Sequence, residues 1–323
     1  MKRFSLFLSA FFLFCLLLFF APLPFGEEIR NESNYRKAHC FHKTDLFLCP
    51  NRNFSFLRPD GKIWDLETNE YGERVTRLTK KCEKDTNEIW LIGDSMSMGF
   101  LLDGEHSPGQ VLENKIGIPV RVMAVDALGT LGILRRFQMG IEQHKKGSSC
   151  PKSPKHVFWI WNTSDFLDDS KENHSFLKNI IYRLHYFITK HSLVYLYLRN
   201  SKQEFNRLTA QTNRDPYPKD HITYQNLQTL SDYFQKENIP ITLIYGWGMR
   251  QDGTPDTEDP NYFDLPQTLQ KIGLDQIDLR KQVESEFQKG ASLFVPNDGH
   301  PDSDFSRLVA EEITKKFPEI GRP

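Results

Sequence analysis

The sequence has no excess of charge of either sign and no internal repeat. Its 323 residues include 41 lysines and arginines against 42 aspartates and glutamates, so the formal net charge is -1. A chain with this balance has no general attraction to polyanions, and nucleic acid is therefore not expected as a partner. Apolar residues make up 39% of the chain and include 25 phenylalanines, enough to build a substantial core.

Cysteine is scarce, and its spacing lacks the paired CxxC pattern of structural zinc sites. Beyond Cys15, which lies in an apolar N-terminal run, the chain contains four cysteines: Cys40, Cys49, Cys82 and Cys150. An even number suits disulfide bonds in an oxidising compartment, and three pairings are possible. Zinc binding by Cys40 and Cys49 with His39 and His42 is the alternative, but without paired spacing disulfides or free thiols are preferred. We therefore expect no metal and no cofactor.

A long apolar run follows the first three residues. Residues 4–25 contain no charged side chain and are numerous enough to cross a bilayer as a helix. The pattern predicts export, with residues 1–26 as a signal peptide or a signal anchor. Pro22 and Pro24 crowd the position where small residues would mark a cleavage site, so both alternatives stay open. The protein is expected on the periplasmic or extracellular face, in contact with the membrane through this segment if it is retained.

The rest of the chain changes character near residue 85. Residues 27–85 are polar and interrupted by prolines and a glycine, which predicts an irregular N-terminal extension before a single domain at 86–323. Within that domain, strands are predicted over residues 88–93, 119–125, 156–161, 239–245 and 293–296. Helices are predicted over residues 131–144, 175–190, 224–237 and 303–317. This alternation predicts an α/β fold with a parallel sheet that is covered on both faces.

The first candidate for chemistry is Gly93-Asp94-Ser95, where the first predicted strand turns into a helix. A serine at such a turn lies at the carboxyl edge of the sheet beside backbone amides, where a nucleophile and an oxyanion site can coincide. Asp94 and Ser95 are also common helix-capping residues. On its own, the tripeptide is more typical of a cap than of a catalytic site.

A second cluster near the C-terminus supplies a base. Residues 297–301 read NDGHP and precede the last predicted helix. Histidine can take the serine proton near neutral pH and return it to the leaving group, while a carboxylate fixes the tautomer of the imidazole. Alone, this cluster would be an ordinary surface turn. Taken with the serine, it predicts a catalytic triad of Ser95, Asp298 and His300.

These motifs resemble those of a known family. IWLIGDSMSMGF (89–100) resembles the nucleophile block of the SGNH/GDSL hydrolase family, and VPNDGHPDSDFSRLVAEEI (295–313) resembles its Asp/His block. AVDALGTLGILRRF (124–137) is similar to its second block, in which Gly129 best matches the glycine whose amide lines the oxyanion hole. The resemblance implies a three-layer α/β/α sandwich with a flavodoxin-like parallel sheet of about five strands.

Two departures from the family pattern affect the site. The third block usually ends in Gly-x-Asn-Asp, whereas this chain has Asn162-Thr163-Ser164-Asp165. Ser164 stands where the oxyanion asparagine is expected, and its hydroxyl reaches less far than an amide. The resemblance thus implies oxyanion donors at Ser95, Gly129 and Ser164. With Ser164 as the third donor a lower activity is expected, unless Asn162 takes the place of Ser164.

The second departure concerns the spacing of the acidic residue. Many family members place it three residues before the histidine, where this chain has Asn297, whereas Asp298 lies two residues before His300. Asp298 is the better candidate because a carboxylate stabilises a forming imidazolium more strongly than a neutral amide does.

The resemblance therefore implies a serine-dependent ester hydrolase that works through an acyl-enzyme. Its substrate would be an ester, either of an acylated carbohydrate or of a lipid. Two alternatives stay open. The acyl group could pass to an exported polysaccharide, which would make the protein an O-acyltransferase. The fold could also serve as a noncatalytic binding module, which the missing third-block asparagine favours.

Overall fold

The computed structural model describes residues 13–14, 17, 26–42, 45–80, 87–145, 153–171, 176–209, 216–250, 253–295 and 298–321. The chain divides into two compact units. The smaller unit comprises the described residues of Met1–His39 and His174–Asn213, and the larger unit those of Cys40–Asn173 and Arg214–Pro323. The predicted domain boundaries at 26/27 and 85/86 stay a prediction.

The described strands are β1 His39–His42, β2 Asp45–Leu48, β3 Arg52–Leu57, β4 Ile63–Thr68, β5 Ile89–Gly93, β6 Val120–Val122, β7 His156–Trp161, β8 Ile241–Tyr245 and β9 Asp275–Asp278. The described helices are α1 Glu27–Arg36, α2 Ser95–Met98, α3 Pro108–Ile116, α4 Thr130–Lys145, α5 Ser164–Lys171, α6 Phe176–His191, α7 Leu193–Thr209, α8 Ile222–Lys236, α9 Leu265–Lys271, α10 Arg280–Gln288 and α11 Ser303–Lys316. Short 3-10 turns lie at Gly104–His106 and Pro260–Tyr262.

A five-stranded parallel sheet forms the centre of the larger unit. Its strand order is β6-β5-β7-β8-β9, and every neighbouring pair is parallel. All residues of β5, β7 and β8 are buried, which matches their nearly continuous apolar sequences and requires cover on both faces of the sheet. Helix α3 packs against α11 and helix α4 against α8. The expected α/β fold, with a parallel sheet of five strands flanked by helices, is confirmed.

Regular structure also occupies the segment that we expected to be irregular. Between residues 27 and 85 the chain forms helix α1 and strands β1 to β4, and β3 pairs with β4 in an antiparallel hairpin. In β4, exposed residues alternate with buried ones, and two of the exposed positions, Asp65 and Glu67, are charged. This alternation over six residues is too short to stand out in a polar segment. The Pro59 and Gly61 interruptions mark the hairpin turn rather than an irregular chain.

The last strand of the sheet also differs from the prediction. The fifth strand is β9, whose sequence DQID has only Ile277 buried. A strand was expected instead at 293–296, but its described part, 293–295, forms only an isolated bridge from Phe294 to Pro301. The other three side chains of β9 are polar and not buried, so apolar patterning did not reveal this strand.

Buried charges connect the 45–80 segment to the sheet. Arg121 of β6 is completely buried and donates to Glu88 at 2.7 and 2.8 Å and to Glu73 at 2.7 Å. Burial alone would raise the pKa of Glu73, but the charge of Arg121 and the hydrogen bond from His144 outweigh it and lower this pKa to about 2. Glu73 is therefore ionised at neutral pH, and its ion pair with Arg121 holds it against the edge strand.

The smaller unit contains α1, α6 and α7, which pack against one another. Glu32 of α1 accepts hydrogen bonds from Arg199 at 3.0 Å and Asn200 at 2.6 Å, both on α7. Among the described residues, no helix is both long and apolar enough to cross a membrane. The apolar run at 4–25 lies outside the described residues, apart from Leu13, Phe14 and Leu17.

We predict that Arg121→Leu lowers the free energy of unfolding by about 3–5 kcal/mol, because it leaves two buried carboxylates without their cation. Chemical denaturation followed by circular dichroism measures the change. Arg77→Leu, which alters an exposed arginine of the same segment, should change it by no more than about 0.5 kcal/mol. Equal effects of the two substitutions would contradict the anchoring role of Arg121.

Candidate active site

Ser95 lies at the carboxyl end of the central strand β5 and begins helix α2. Gly93, the last residue of β5, has φ 137°, and a Cβ there would lie 2.8 Å from Trp159. Only glycine fits this turn. The side chain of Asp94 caps α2 by accepting a hydrogen bond from the Met96 amide at 2.9 Å. The glycine turn therefore places Ser95 in the first turn of a helix, where backbone N–H groups have no hydrogen-bond partner within the helix.

A chain of hydrogen bonds joins the three predicted triad residues. His300 Nε2 lies 2.9 Å from Ser95 Oγ, and His300 Nδ1 forms a short hydrogen bond with Asp298 Oδ1. The same carboxylate oxygen accepts from the His300 backbone amide at 3.2 Å. Because an ionised carboxylate only accepts, Nδ1 carries the proton and Nε2 is left to accept from the serine hydroxyl. This arrangement suits a base that removes the proton of Ser95.

The charge state of Asp298 suits this role. Burial alone would raise its pKa, but the hydrogen bonds and charge of His300, together with the charge of Arg58, outweigh burial and lower the pKa. Asp298 is therefore ionised at neutral pH. The ionised form stabilises an imidazolium on His300.

The imidazole of His300 packs against Phe100, which in turn packs on aromatic rings of the β3–β4 hairpin. The ring of Phe100 meets that of His300 edge to face, with centroids 4.6 Å apart. Phe100 in turn packs edge to face with Trp64 of β4 at 5.3 Å, and Trp64 contacts Phe56 of β3 at 5.0 Å. Packing of this kind limits rotation of the His300 ring and so helps to keep Nε2 directed at the serine.

Arg58, which follows β3, bridges the two halves of the site. Its guanidinium is held by Asp60 at 3.0 and 3.1 Å and is almost completely buried. It donates to the backbone oxygen of Leu101, shortly after α2, at 3.3 Å. It also faces the carboxylate of Asp302, the N-cap of α11, at 3.4 and 3.5 Å. Arg58 therefore ties the chain that follows the serine to the chain that follows His300.

Two buried carboxyl groups lie behind the serine. Burial raises the pKa of Asp94 to about 6, although hydrogen bonds from Met96 and Asn162 oppose the shift. Burial and the nearby Asp94 raise the pKa of Asp165 well above its usual range. One Asp165 oxygen accepts from the Asn162 amide at 3.1 Å, while the other is buried without a hydrogen-bond partner among the described residues. The protonated, neutral form of Asp165 is therefore favoured over the ionised carboxylate.

The other two predicted oxyanion residues lie at opposite ends of α5, Ser164 at its first residue and Gly129 against Asp168 and Asp169 near its end. Gly129 precedes α4 and packs so closely on α5 that a Cβ would lie 2.9 Å from the Asp169 amide nitrogen. Ser164 is exposed, and its backbone amide donates to Asn162 Oδ1 at 2.8 Å. Asn162 Nδ2 donates to Asp94 Oδ2 at 3.1 Å. The side chain that hydrogen-bonds to Asp94, the residue before Ser95, is thus that of Asn162 and not that of Ser164.

Sequence patterns did not indicate Arg58, Phe100 or Asp165 as parts of this site. Arg58 and Phe100 act through packing and through contacts with distant chain segments, so no local motif marks them. Asp165 stands where the Gly-x-Asn-Asp block of the family that the sequence resembles has its final residue. That position was the only signal by which this residue could have been found.

The possible zinc cluster near the N-terminus is a disulfide instead. Cys40 and Cys49 are joined in the structure, which confirms the predicted use of cysteine in disulfides and removes both thiolates as metal ligands. Within the described ranges, no three histidine, cysteine or acidic side chains are grouped as a metal site would require. Cys82 and Cys150 lie outside the described residues.

No family model matches the sequence, and no curated protein matches it. Solved structures do match. AlAXEase, an acetyl xylan esterase, is 13% identical over 71% of this chain and 98% of that chain, with a TM-score of 0.43. A lipolytic protein of the G-D-S-L family from Veillonella parvula is 16% identical over 72% and 98%, with a TM-score of 0.40. AlinE4, an SGNH-hydrolase family esterase, is 16% identical over 73% and 94%, with a TM-score of 0.38. The last two descriptions name the family that the sequence motifs resemble.

We predict that Asp165→Asn stabilises the protein more at high pH than at low pH. A carboxyl group whose pKa is raised by folding binds its proton more tightly in the folded state, so the parent loses stability as pH rises from about 4, the unfolded pKa, towards the raised value. The variant lacks this loss. Thermal unfolding midpoints measured from pH 4 to pH 8 should therefore diverge, with the variant higher.

The exposed Asp220→Asn serves as the control and should show a constant difference from the parent over the same range. A difference between Asp165→Asn and the parent that shrinks with rising pH would contradict the burial of an unpaired acid.

Proposed function

We propose that this protein is a serine-dependent hydrolase of ester bonds, with Ser95 as nucleophile, His300 as general base and acid, and Asp298 as the orienting carboxylate. The observation that supports the proposal is the chain of hydrogen bonds from Asp298 through His300 to Ser95. A helix cap or a surface turn, the ordinary structural explanations of these motifs, does not require residues 205 positions apart to meet in this way. Nucleophilic catalysis does.

The reaction proceeds in two halves. Ser95 Oγ attacks the carbonyl carbon of the ester while its proton passes to His300 Nε2. The bond between that carbon and the alcohol oxygen then breaks, and the alcohol leaves with the proton from His300. Water attacks the resulting acyl-enzyme with His300 again as base, which releases the acid and restores the hydroxyl of Ser95.

The negative charge on the carbonyl oxygen needs hydrogen-bond donors. The backbone amides of Ser95 and Gly129 are the proposed donors, helped by the hydroxyl of Ser164. Because Ser164 is exposed and Asn162 Nδ2 lies 3.1 Å from Asp94, Asn162 is the competing third donor. An asparagine amide has two N–H groups, so it can keep its bond to Asp94 and donate a second one.

Export and the substrate class complete the proposal. The Cys40–Cys49 disulfide supports an oxidising compartment outside the cytosol, in agreement with the apolar N-terminal run. The substrate is proposed to be an acylated carbohydrate or a lipid ester. Transfer of the acyl group to a polysaccharide uses the same acyl-enzyme. Acid release that falls when an oligosaccharide acceptor is added, with a matching gain in acylated acceptor, would favour transfer.

We predict that Ser95→Ala and His300→Ala each lower kcat for p-nitrophenyl acetate at least about a thousandfold, because each removes a group that the first half-reaction requires. Spectrophotometric release of p-nitrophenol measures the change. His106→Ala is the matched control, since His106 also pairs with a carboxylate, Asp103, at 2.7 Å but is exposed. It should keep the activity of the parent. Activity that survives in Ser95→Ala would contradict the proposed nucleophile.

Arg58 bridges Leu101 and Asp302 and so positions the two halves of the site. Arg58→Gln should lower kcat by about tenfold to a hundredfold with little change in KM, because small displacements of reacting groups are costly. Lys62→Gln removes an exposed cation that also approaches Asp60, at 3.7 Å, and should leave kcat unchanged.

Asp302→Asn keeps an oxygen that can cap α11 but removes the charge facing Arg58, so it should give an intermediate loss. Measurements are made well below the thermal midpoint of each variant, which separates misalignment from unfolding. Parent-like kcat in both Arg58→Gln and Asp302→Asn would show that the bridge does not position the site.

A further inference from the structure

Helices α6 and α7 of the smaller unit expose an unusual number of apolar side chains. Six large ones are between 47% and 58% exposed: Ile180, Ile181, Leu184, Phe187, Tyr197 and Leu198. We call this set the α6–α7 face. Its first four members follow the spacing of one side of a helix, so the apolar stripe predicted at 175–190 exists but is not covered by the described residues. Exposed apolar groups this concentrated mark a contact surface.

The charge of the same helices indicates which partner this surface suits. Helices α6 and α7 contain six cationic residues, Lys178, Arg183, Lys190, Arg199, Lys202 and Arg207, and one acidic residue, Glu204. Arg183 and Lys202 are exposed, whereas Lys190 donates to the His39 backbone oxygen and Arg199 pairs with Glu32. A chain with a net charge of only -1 concentrates positive charge here. Exposed apolar side chains on helices with a clear excess of cations are typical of helices that lie in the surface of an anionic bilayer.

Tyrosine content agrees with the same partner. Of the four tyrosines in these helices, Tyr197 is 48% exposed and Tyr182 and Tyr195 are half-buried, whereas Tyr186 is buried. Tyrosine is enriched where the hydrocarbon of a membrane meets water, because its ring is apolar and its hydroxyl is polar. Tyrosine is also frequent at protein–protein interfaces, so the cations, rather than the tyrosines, favour a bilayer over a protein partner.

The first helix of the smaller unit directly follows the apolar N-terminal run in the chain. Helix α1 begins at Glu27, two residues after the apolar run 4–25 ends, and it packs directly against α6 and α7. The helices that carry the α6–α7 face are therefore joined by packing to the segment that the export machinery delivers to the membrane. A retained anchor would hold them at the bilayer surface.

We propose that the α6–α7 face binds the surface of a lipid bilayer, with its apolar side chains inserted at the boundary between headgroups and acyl chains. The contact holds the smaller unit on the membrane independently of the ester chemistry. It requires anionic headgroups for full strength, because the neighbouring cations contribute to it.

The test is photolabelling of the full chain in vesicles that contain a phospholipid with a diazirine on its acyl chain. Vesicles of phosphatidylcholine with about 30% phosphatidylglycerol provide the anionic surface. After irradiation, mass spectrometry of proteolytic peptides maps the labelled residues. Labelling is expected at residues 180–198, several times above that of peptides containing Ile63 or Phe263, which are apolar residues elsewhere with exposed fractions of 67% and 53%. In vesicles of phosphatidylcholine alone, the labelling should fall about twofold or more.

The double variant Ile181→Glu/Leu184→Glu replaces two apolar residues of the α6–α7 face with acidic ones and is compared with the parent. It should reduce labelling of residues 180–198 several-fold while its thermal midpoint and the labelling of any retained N-terminal run stay as in the parent. Labelling of residues 180–198 no stronger than that of the Ile63 and Phe263 peptides would overturn the proposal. So would self-association of the chain without vesicles, measured by sedimentation velocity, that the same double variant abolishes.

Discussion

The hydrogen bond between His300 Nε2 and Ser95 Oγ is the contact on which the proposed chemistry depends. It joins residues 205 positions apart across 2.9 Å. Ser95 is placed by β5 and by the glycine turn that follows it. His300 lies just before the N-cap of α11 and is placed by a backbone hydrogen bond, in which the Val295 amide donates to the His300 oxygen at 2.8 Å. The bond forms only if the sheet and the last helix are assembled in one register.

The segment between residues 45 and 80 contributes to that assembly. Its carboxylate Glu73 is bound to Arg121 of the edge strand, and its Arg74 donates to the backbone oxygens of Met98 and Gly99 at 3.0 and 2.6 Å, where α2 ends. Arg58 reaches both Leu101 and Asp302. These side chains satisfy carbonyls and carboxylates that burial would otherwise leave unpaired. The segment is thus part of the framework that holds the candidate site, rather than an appendage to it.

The predictable parts of the molecule are those in which chemistry is local. Strands β5, β7 and β8 follow from continuous apolar sequences, because a strand covered on both faces has no polar positions. The serine and histidine motifs follow from residue types that acyl transfer needs. β9 was missed because it buries only Ile277, and the β3–β4 hairpin because its alternation lasts six residues. Arg58 could not be predicted, since its role exists only when three distant segments meet. The exposure of the α6–α7 face could not be predicted either, because an apolar stripe does not state what covers it.

The central claim is that Ser95 is an activated nucleophile, and intact mass spectrometry after exposure to a fluorophosphonate tests it most directly. The parent is compared with Ser95→Ala and His300→Ala, because the reagent bonds only to a serine whose proton is removed by a base. The account predicts one adduct per chain in the parent, mapped to Ser95, and none in either variant. A folded parent that forms no adduct, or an adduct that persists in Ser95→Ala, would contradict it.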